Sequence, residues 1–288
     1  MADVAYRPVI IREPRGAEQF GIVEKPLTTL EKLYNQAWLR KLILLVVLAA
    51  AWEVYARWLD NPLLIPTFSD TVLALAANVA NGVIPQRSLA TIEVLLVGFS
   101  VGTVLAGLLT VFAIGTRVGT DLLETATAMF NPLPAIALLP LALIWFGLGA
   151  GSLVFVLVHS VMWAVALNTH AGFRAVSTTV RMVGRNYNLS GLAFVLQILI
   201  PAAFPSILAG LKIGWAFAWR TLIAAELVFG VSSGQGGLGW FIFESKNQLE
   251  IADVFAGLLT IILIGLAVEN VIFRVIETRT VQRWGMQT

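Results

Sequence analysis

The sequence predicts an all-α polytopic membrane protein with about six transmembrane helices. Three observations carry that prediction. Of the 288 residues, 58% are hydrophobic and only 12% are charged, about half the charge of a typical soluble chain. The mean hydropathy is +0.84. The apolar residues also gather into continuous runs near the roughly 20 residues a helix needs to cross a bilayer core. A membrane barrel would show short alternating strands instead. The same numbers exclude intrinsic disorder, which needs low hydrophobicity and high charge, and argue against a soluble enzyme.

Residues 1–38 mix Arg7, Arg12, Arg15, Lys25 and Lys32 with Asp3, Glu13, Glu18, Glu24 and Glu31. They read as a cytoplasmic N-terminal extension with a short helix over Thr28–Ala37. A secretory signal would place its apolar stretch earlier than the first long run here, which starts after Arg40 and Lys41. Six spans follow: Leu42–Leu59, Ser88–Ile114, Leu122–Trp145, Ser152–Ala171, Ile207–Phe229 and Val254–Ile276. Residues 39–283 therefore read as one transmembrane domain, with 284–288 as a cytoplasmic tail. Pro132, Pro134 and Pro140 interrupt the third span. Each removes a backbone donor, a break tolerated where the chain lines a cavity or packs inside protein.

Charge placement sets the expected topology. With the N-terminus inside, fifteen of the 19 Lys and Arg residues fall on the inner side. Only Arg87 and Lys246 fall outside, while Arg57 and Arg220 lie within or at the end of spans. The positive-inside rule then puts both termini in the cytoplasm. Two outer stretches are substantial. Asn61–Arg87 carries a turn at Pro62–Pro66 and a helix over Asp70–Asn81, whose Val72, Leu75, Ala76 and Val79 form one apolar stripe. Gly230–Asp253 is glycine-rich and then aromatic, with an interfacial helix over Leu238–Gln248. The longest inner loop, Gly172–Ser206, reads as helix–turn–helix with two prolines at its end, the form of a docking element.

Several chemistries are missing. Without cysteine there are no disulfides, zinc–thiolate sites or iron–sulfur clusters. No lysine follows a glycine, so the chain lacks a phosphate-binding loop and is not expected to hydrolyse a nucleotide alone. His159 and His170 have no carboxylate at metal-ligand spacing, which argues against a metal centre and a histidine-based triad. No basic stripe points to nucleic acid, and no cofactor is expected in this chain.

The charges inside spans are the residues to weigh. Arg220 lies mid-span, where a charge costs about 2.5–3.5 kcal/mol on insertion scales. It either faces a water-filled pathway or is neutralised by Glu226 or Glu93. Glu226 stands six residues on, outside the three- or four-residue spacing of an intrahelical pair. It reads as an inter-helix partner or a cap of the outer gate. Glu53 and Arg57 have the favourable acid-before-base spacing of four. His159 and Trp163 share one face of the fourth span, with Asn168 beyond them. They are candidate pathway residues or packing aromatics. The pairs Gly98/Gly102, Gly147/Gly151 and Gly210/Gly214 have the spacing that favours close helix contact, and read as a candidate dimer seam.

A series of short segments carries a resemblance. In order they are Leu64–Ile65–Pro66–Thr67 before a short helix, Asn131–Pro132–Leu133–Pro134, Leu139–Pro140–Leu141 through Trp145–Phe146–Gly147, and Asn168–Thr169–His170–Ala171–Gly172. Ile200–Pro201–Ala202–Ala203–Phe204–Pro205, Ala218–Trp219–Arg220, Ala224–Ala225–Glu226–Leu227, Gly237–Leu238–Gly239 and Val254–Phe255–Ala256–Gly257 follow. The chain resembles, over about Leu42 to Arg283, the membrane-spanning permease subunit of binding-protein-dependent ABC importers of the nitrate, sulfonate, taurine and bicarbonate group. The resemblance implies a type I ABC importer permease fold in the bacterial inner membrane. It implies a non-catalytic subunit that forms a pathway for a small anion. The implied partners are a second permease copy, cytoplasmic ATP-binding subunits that hold the ATP and magnesium, and a periplasmic substrate-binding protein.

The family's cytoplasmic signature is Glu-Ala-Ala, three residues, Gly, nine residues, Ile-x-Leu-Pro. Aligned back from Pro201, it falls on Met182, Val183, Gly184, Asn188, Ile198 and Ile200. Ile198 and Pro201 are kept, Gly184 and Ile200 are conservative, and the acidic residue and turn glycine are lost. Asparagine can still take the left-handed conformation that glycine would supply. The resemblance makes Met182, Val183, Gly184, Arg185, Asn186, Tyr187, Asn188 and Pro201 the ATPase-coupling positions. The alternative from the residues alone is a self-contained secondary transporter or channel, which usually has more spans and internal repeats.

Overall fold

The computed structural model describes residues 34–229 and 236–283. The 1–38 extension with its expected helix over Thr28–Ala37 lies mostly outside them, as do residues 230–235 and the tail 284–288. Among the described residues every regular element is helical. The chain divides into two compact units, 1–52 and 53–288. In the first, Arg40 donates to the Tyr34 carbonyl at 2.7 Å and lies 5.8 Å from that ring's centroid.

Helix α1, Ala37–Leu59, begins in the first unit and ends in the second. Near its end Glu53 accepts from Arg57 Nε at 2.7 Å, the expected pair. Glu53 also accepts from the Ser69 backbone N–H at 3.0 Å and the Ser69 hydroxyl at 2.9 Å. It thereby places an acidic group at the start of α2, Phe68–Ala80, where the helix dipole favours it. Thr67 caps the same helix, accepting from Asp70 N.

Helix α3 is long, Val83–Gly115, and α4 is Arg117–Phe130. A short 3-10 turn, Ala135–Leu138, leads into α5, Leu139–Phe146. The two arms 117–130 and 135–146 meet at 88°. The interruption that the prolines predict in the third span is a sharp bend. Pro132 and Pro134 have no N–H to continue the ladder, and only isolated bonds such as Leu133 N to Phe130 O at 3.1 Å bridge the break.

Helix α6, Ala150–Ala175, is the most buried span. It is followed by α7, Thr178–Asn186. The next span starts as α8, Gly191–Phe194, passes through a π turn, Val195–Leu199, and continues as α9, Ile200–Phe229. The sequence places the start of this fifth span at Ile207. The helix instead starts earlier and runs on through Pro201 and Pro205, with a π segment just before Pro201. α10 is Leu238–Asn247 and α11 is Ile251–Ala267. From there π turns at Val268–Phe273 and Thr278–Gln282 flank α12, Arg274–Glu277. Among the described residues five helices are long and apolar enough to cross a membrane, or six if the bent pair is one span.

The core sits between α6 and the helices on either side of it, α3 and α9. Glycine lets them close in. A Cβ on Gly98 would come 2.5 Å from Leu157 Cβ, and one on Gly102 would come 2.8 Å from Val161 Cβ. On the other flank, Gly210 would meet Asn168 Cβ at 2.8 Å and Gly214 would meet Val165 Cγ2 at 3.1 Å. These two glycine pairs are therefore intrachain packing surfaces for α6, not the seam between copies that their spacing suggests. Gly147 acts differently, ending α5 at φ +73°.

Candidate functional site

Between the bend, α6 and α9 lies a cavity of about 360 Å³. Helical periodicity supplies two of its walls. His159, Ser160 and Trp163 share a face of α6, and Phe217, Arg220, Thr221 and Ala224 share a face of α9. The third wall is the broken segment 131–136. Ser160 and Thr221 hydroxyls, 3.1 Å apart, link the two helices beside the opening. No Asp or Glu lines the cavity.

Arg220 is exposed on this cavity and makes no ion pair with an acidic side chain among the described residues. Its guanidinium lies 5.8 Å from the Phe217 ring centroid, an arrangement that stabilises a cation while leaving its hydrogen-bond fork available. The pairing with Glu226 or Glu93 that the sequence allows is not made. The lining thus contains one permanent cation, neutral donors and no carboxyl group. That balance makes the lining net positive.

His159 and Trp163 flank the cavity in an aromatic cluster with Phe130, the last residue of α4. Phe130 stacks on Trp163 at 5.4 Å between centroids and 15° between planes. It meets His159 edge-on at 6.4 Å. Both ring nitrogens of His159 and the indole nitrogen of Trp163 are buried and have no hydrogen-bond partner among the described residues. A buried polar group left unsatisfied costs about 1–3 kcal/mol.

Two other sequence candidates lie elsewhere. Asn168 donates to the Ala164 carbonyl at 2.8 Å and packs where Gly210 approaches. Glu226 is 3% exposed and belongs to a buried clasp. It accepts from Thr91 Oγ1 of α3 at 3.0 Å and from the Gly239 N–H at 2.8 Å. Thr91 in turn accepts from the Leu238 N–H at 2.8 Å. The first turn of α10 is thus capped by side chains from α3 and α9. Gly237 and Gly239 are required there: a Cβ on Gly239 would come 2.6 Å from both Glu226 Cβ and the Ile223 carbonyl, and one on Gly237 would overlap the Glu226 and Thr91 oxygens.

The predicted docking loop has its own construction. Ser177 caps α7, accepting from Val180 N. Arg181 ties the helix back to α6 by donating to the Phe173 and Val176 carbonyls. Gly184 lies flush against Phe194 and Ile198, each 2.8 Å from where its Cβ would stand. The helix then ends in a Schellman motif: Asn188 N donates to Arg185 O at 2.8 Å and Leu189 N to Gly184 O at 3.0 Å. Asn188 has φ +57°, the conformation for which the family pattern uses glycine. Met182, 62% exposed, and Tyr187, 77% exposed, leave apolar surface uncovered, with Val183 and Arg185 also exposed. Sequence reasoning missed Phe130, Thr91 and Phe217. The periodicity of α9 around Arg220 could have found Phe217; no local signal marks the other two.

A bundle of apolar helices long enough to cross a membrane, with a cavity between them, is the architecture of a polytopic membrane protein. Residues 98–284 match the family described as the binding-protein-dependent transport system inner membrane component, and the chain belongs to that family. It is 27% identical over 243 residues to a putative ABC transporter permease protein of Methanocaldococcus jannaschii, covering 83% of this chain and 90% of that one. It is 28% identical over 222 residues to a putative aliphatic sulfonates transport permease protein of Escherichia coli, covering 76% and 82%. It is 30% identical over 176 residues to a nitrate import permease protein of Synechocystis, covering 61% and 62%. The fold is that of a type I ABC importer permease.

Proposed function

We propose that this chain is the permease subunit of an ATP-driven importer and forms the transmembrane pathway for a small anion such as a sulfonate, taurine, nitrate or bicarbonate. The observation that carries the reading is Arg220, a cation on a cavity between spans with no acidic partner among the described residues. Holding a charge there is costly unless water or an anion meets it. His159 and Trp163 line the same cavity with their ring nitrogens buried, while Asn168 supports the α6–α9 contact. The sulfonate and nitrate relatives are named for anions, which supports the reading.

In this reading the chain is non-catalytic. Two copies form the pathway in the bacterial inner membrane, with both termini in the cytoplasm. A periplasmic binding protein delivers the anion, and ATPase subunits bind ATP and magnesium. The loop 172–206 docks on the ATPase through α7, with Met182, Val183, Arg185, Asn186 and Tyr187 facing it. Gly184, Asn188 and Pro201 shape the turn behind them. Arg181 and the glycine contact make α7 rigid with α6 and the α8–α9 span, so motion of α7 reaches the cavity walls through packed helices. The test is reconstitution with the ATPase and binding protein. Reversing charge at Arg185 together with deleting Asn188 is expected to abolish substrate-stimulated ATP hydrolysis while membrane insertion persists. Normal stimulation would remove the docking role, and anion flux through this chain alone would replace the importer with a self-contained transporter or channel.

A further inference from the structure

The inner loop 172–206 contains three arginines and no aspartate or glutamate. Two of the three are already occupied. Arg174 pairs with Glu124 of α4 at 2.9 Å, and Arg181 donates to the Phe173 and Val176 carbonyls. Arg185, in the last turn of α7, is exposed, and its side chain has no hydrogen bond or ion pair among the described residues. The loop therefore presents one uncompensated cation, and nothing of opposite charge within the loop can meet it.

Its surroundings on α7 are apolar. Gly184 is buried against Phe194 and Ile198, and Arg181 turns back to α6, so both fix one side of the helix. Met182, Val183, Arg185, Asn186 and Tyr187 occupy the opposite arc and are all exposed. Met182 and Arg185, three apart, adjoin on that surface. Apolar side chains gathered on an exposed face mark a contact surface. A lipid headgroup layer is held by clusters of about four to eight basic residues, whereas this nine-residue helix offers one free cation. A protein surface of opposite charge fits it better.

We infer that the ATPase surface receiving α7 is an apolar pocket for Met182 and Tyr187 with a carboxylate opposite Arg185. This rests on the importer reading above and adds the chemistry of the partner. The guanidinium's planar fork meets a carboxylate through two parallel hydrogen bonds, which fixes the docking register as well as the charge. The same arrangement selects among ATPase subunits. A cleft that presents a cation at this point meets Arg185 as a like charge, and one built to receive an acid finds the methyl end of Met182 instead. Both mismatches reject the wrong partner.

The test measures binding of the ATPase subunit that supports uptake with this chain to the full chain in lipid nanodiscs. Arg185→Glu sets like charges against each other and should weaken binding at least about tenfold. Replacing one Asp or Glu of the ATPase by Lys should restore it. Met182→Glu should also bind at least about tenfold more weakly, and Met182→Lys at least about tenfold tighter than Met182→Glu, because only the lysine suits a pocket beside a carboxylate. Both positions are exposed, so the variants keep their fold, checked by size exclusion. Raising salt from about 0.1 M to about 1 M should weaken the wild type and leave Arg185→Ala nearly flat. The opposite ranking at position 182, equal losses for its two variants, or a wild type as insensitive to salt as Arg185→Ala overturns the carboxylate while α7 stays the docking face. Binding that no α7 variant changes removes the docking reading itself, the outcome expected if the helix lay on lipid.

Discussion

Arg220 and Glu226 lie six residues apart on one helix and carry opposite charge types, but the fold treats them in opposite ways. Arg220 looks onto a cavity, has an aromatic neighbour and lacks an acidic partner among the described residues. Glu226 is 3% exposed and serves two hydrogen-bond donors from other helices. A polar group within a span is tolerated when its bonding capacity is filled, and that describes Glu226. Where the capacity is left open toward a void, as at Arg220, stability gains little and a ligand has something to bind. The comparison separates a residue that builds the bundle from one that faces a cavity without an acidic partner among the described residues.

The largest expected effect is on the building residue. Glu226→Ala strips the acceptor from the Thr91 hydroxyl and the Gly239 N–H, each a buried donor costing about 1–3 kcal/mol when unsatisfied. The unfolding free energy in mixed detergent micelles should fall by about 3 kcal/mol or more, and Glu226→Gln should recover part of it by keeping one acceptor oxygen. A change within about 1 kcal/mol for the alanine variant would break the comparison. Gly239→Ala comes next. Its Cβ would stand 2.6 Å from the Ile223 carbonyl, a backbone atom that cannot rotate away. Overpacking of this kind costs about 1–3 kcal/mol, read in the same unfolding measurement.

Arg220→Ala should show the reverse pattern. Stability is expected to change by less than about 0.5 kcal/mol, as for a side chain with no buried partner. Anion uptake by the reconstituted transporter should fall about tenfold, equivalent to about 1.4 kcal/mol. Arg220→Lys keeps the charge without the planar fork and should fall between. Wild-type uptake would return Arg220 to the same structural category as Glu226.

Much of this was legible in the sequence, and the part that was not shares one cause. The spans are read from continuous apolar runs because the bilayer sets their length, and the pairing of His159 with Trp163 on one face follows from a spacing of four. The prolines announce a break in the third span, although its 88° angle depends on what packs around it. The glycine pairs announce close approach without naming the partner. Spacing alone suggested a second copy, whereas Gly98, Gly102, Gly210 and Gly214 close on α6 of the same chain. Glu226 is the clearest case. Its partner Thr91 stands 135 residues away, so no local pattern can show that the carboxyl caps α10. Arg220 likewise joins His159 only because α6 and α9 pack face to face. Local chemistry was readable; non-local satisfaction was not.

The smallest effect tests where the clasp stops. Arg87 of α3 donates to Glu244 of α10 at 3.1 Å and to the Gly236 carbonyl at 3.4 Å. These bonds join two of the three elements that Glu226 and Thr91 hold together. Yet Arg87 and Glu244 both keep solvent contact, and ion pairs of this kind contribute about 0.2–1 kcal/mol. Arg87→Ala should therefore cost about 0.5 kcal/mol. Salt separates it from the clasp proper: raising ionic strength from about 0.1 M to about 1 M shortens the Debye length from about 10 Å to about 3 Å. The Arg87→Ala deficit should vanish in the higher salt, while the Glu226→Ala deficit, arising from buried hydrogen bonds, should persist. If both vanish together, Glu226 is held by long-range electrostatics as Arg87 is, and the line between a bonded interior charge and an available one has to be redrawn nearer the cavity.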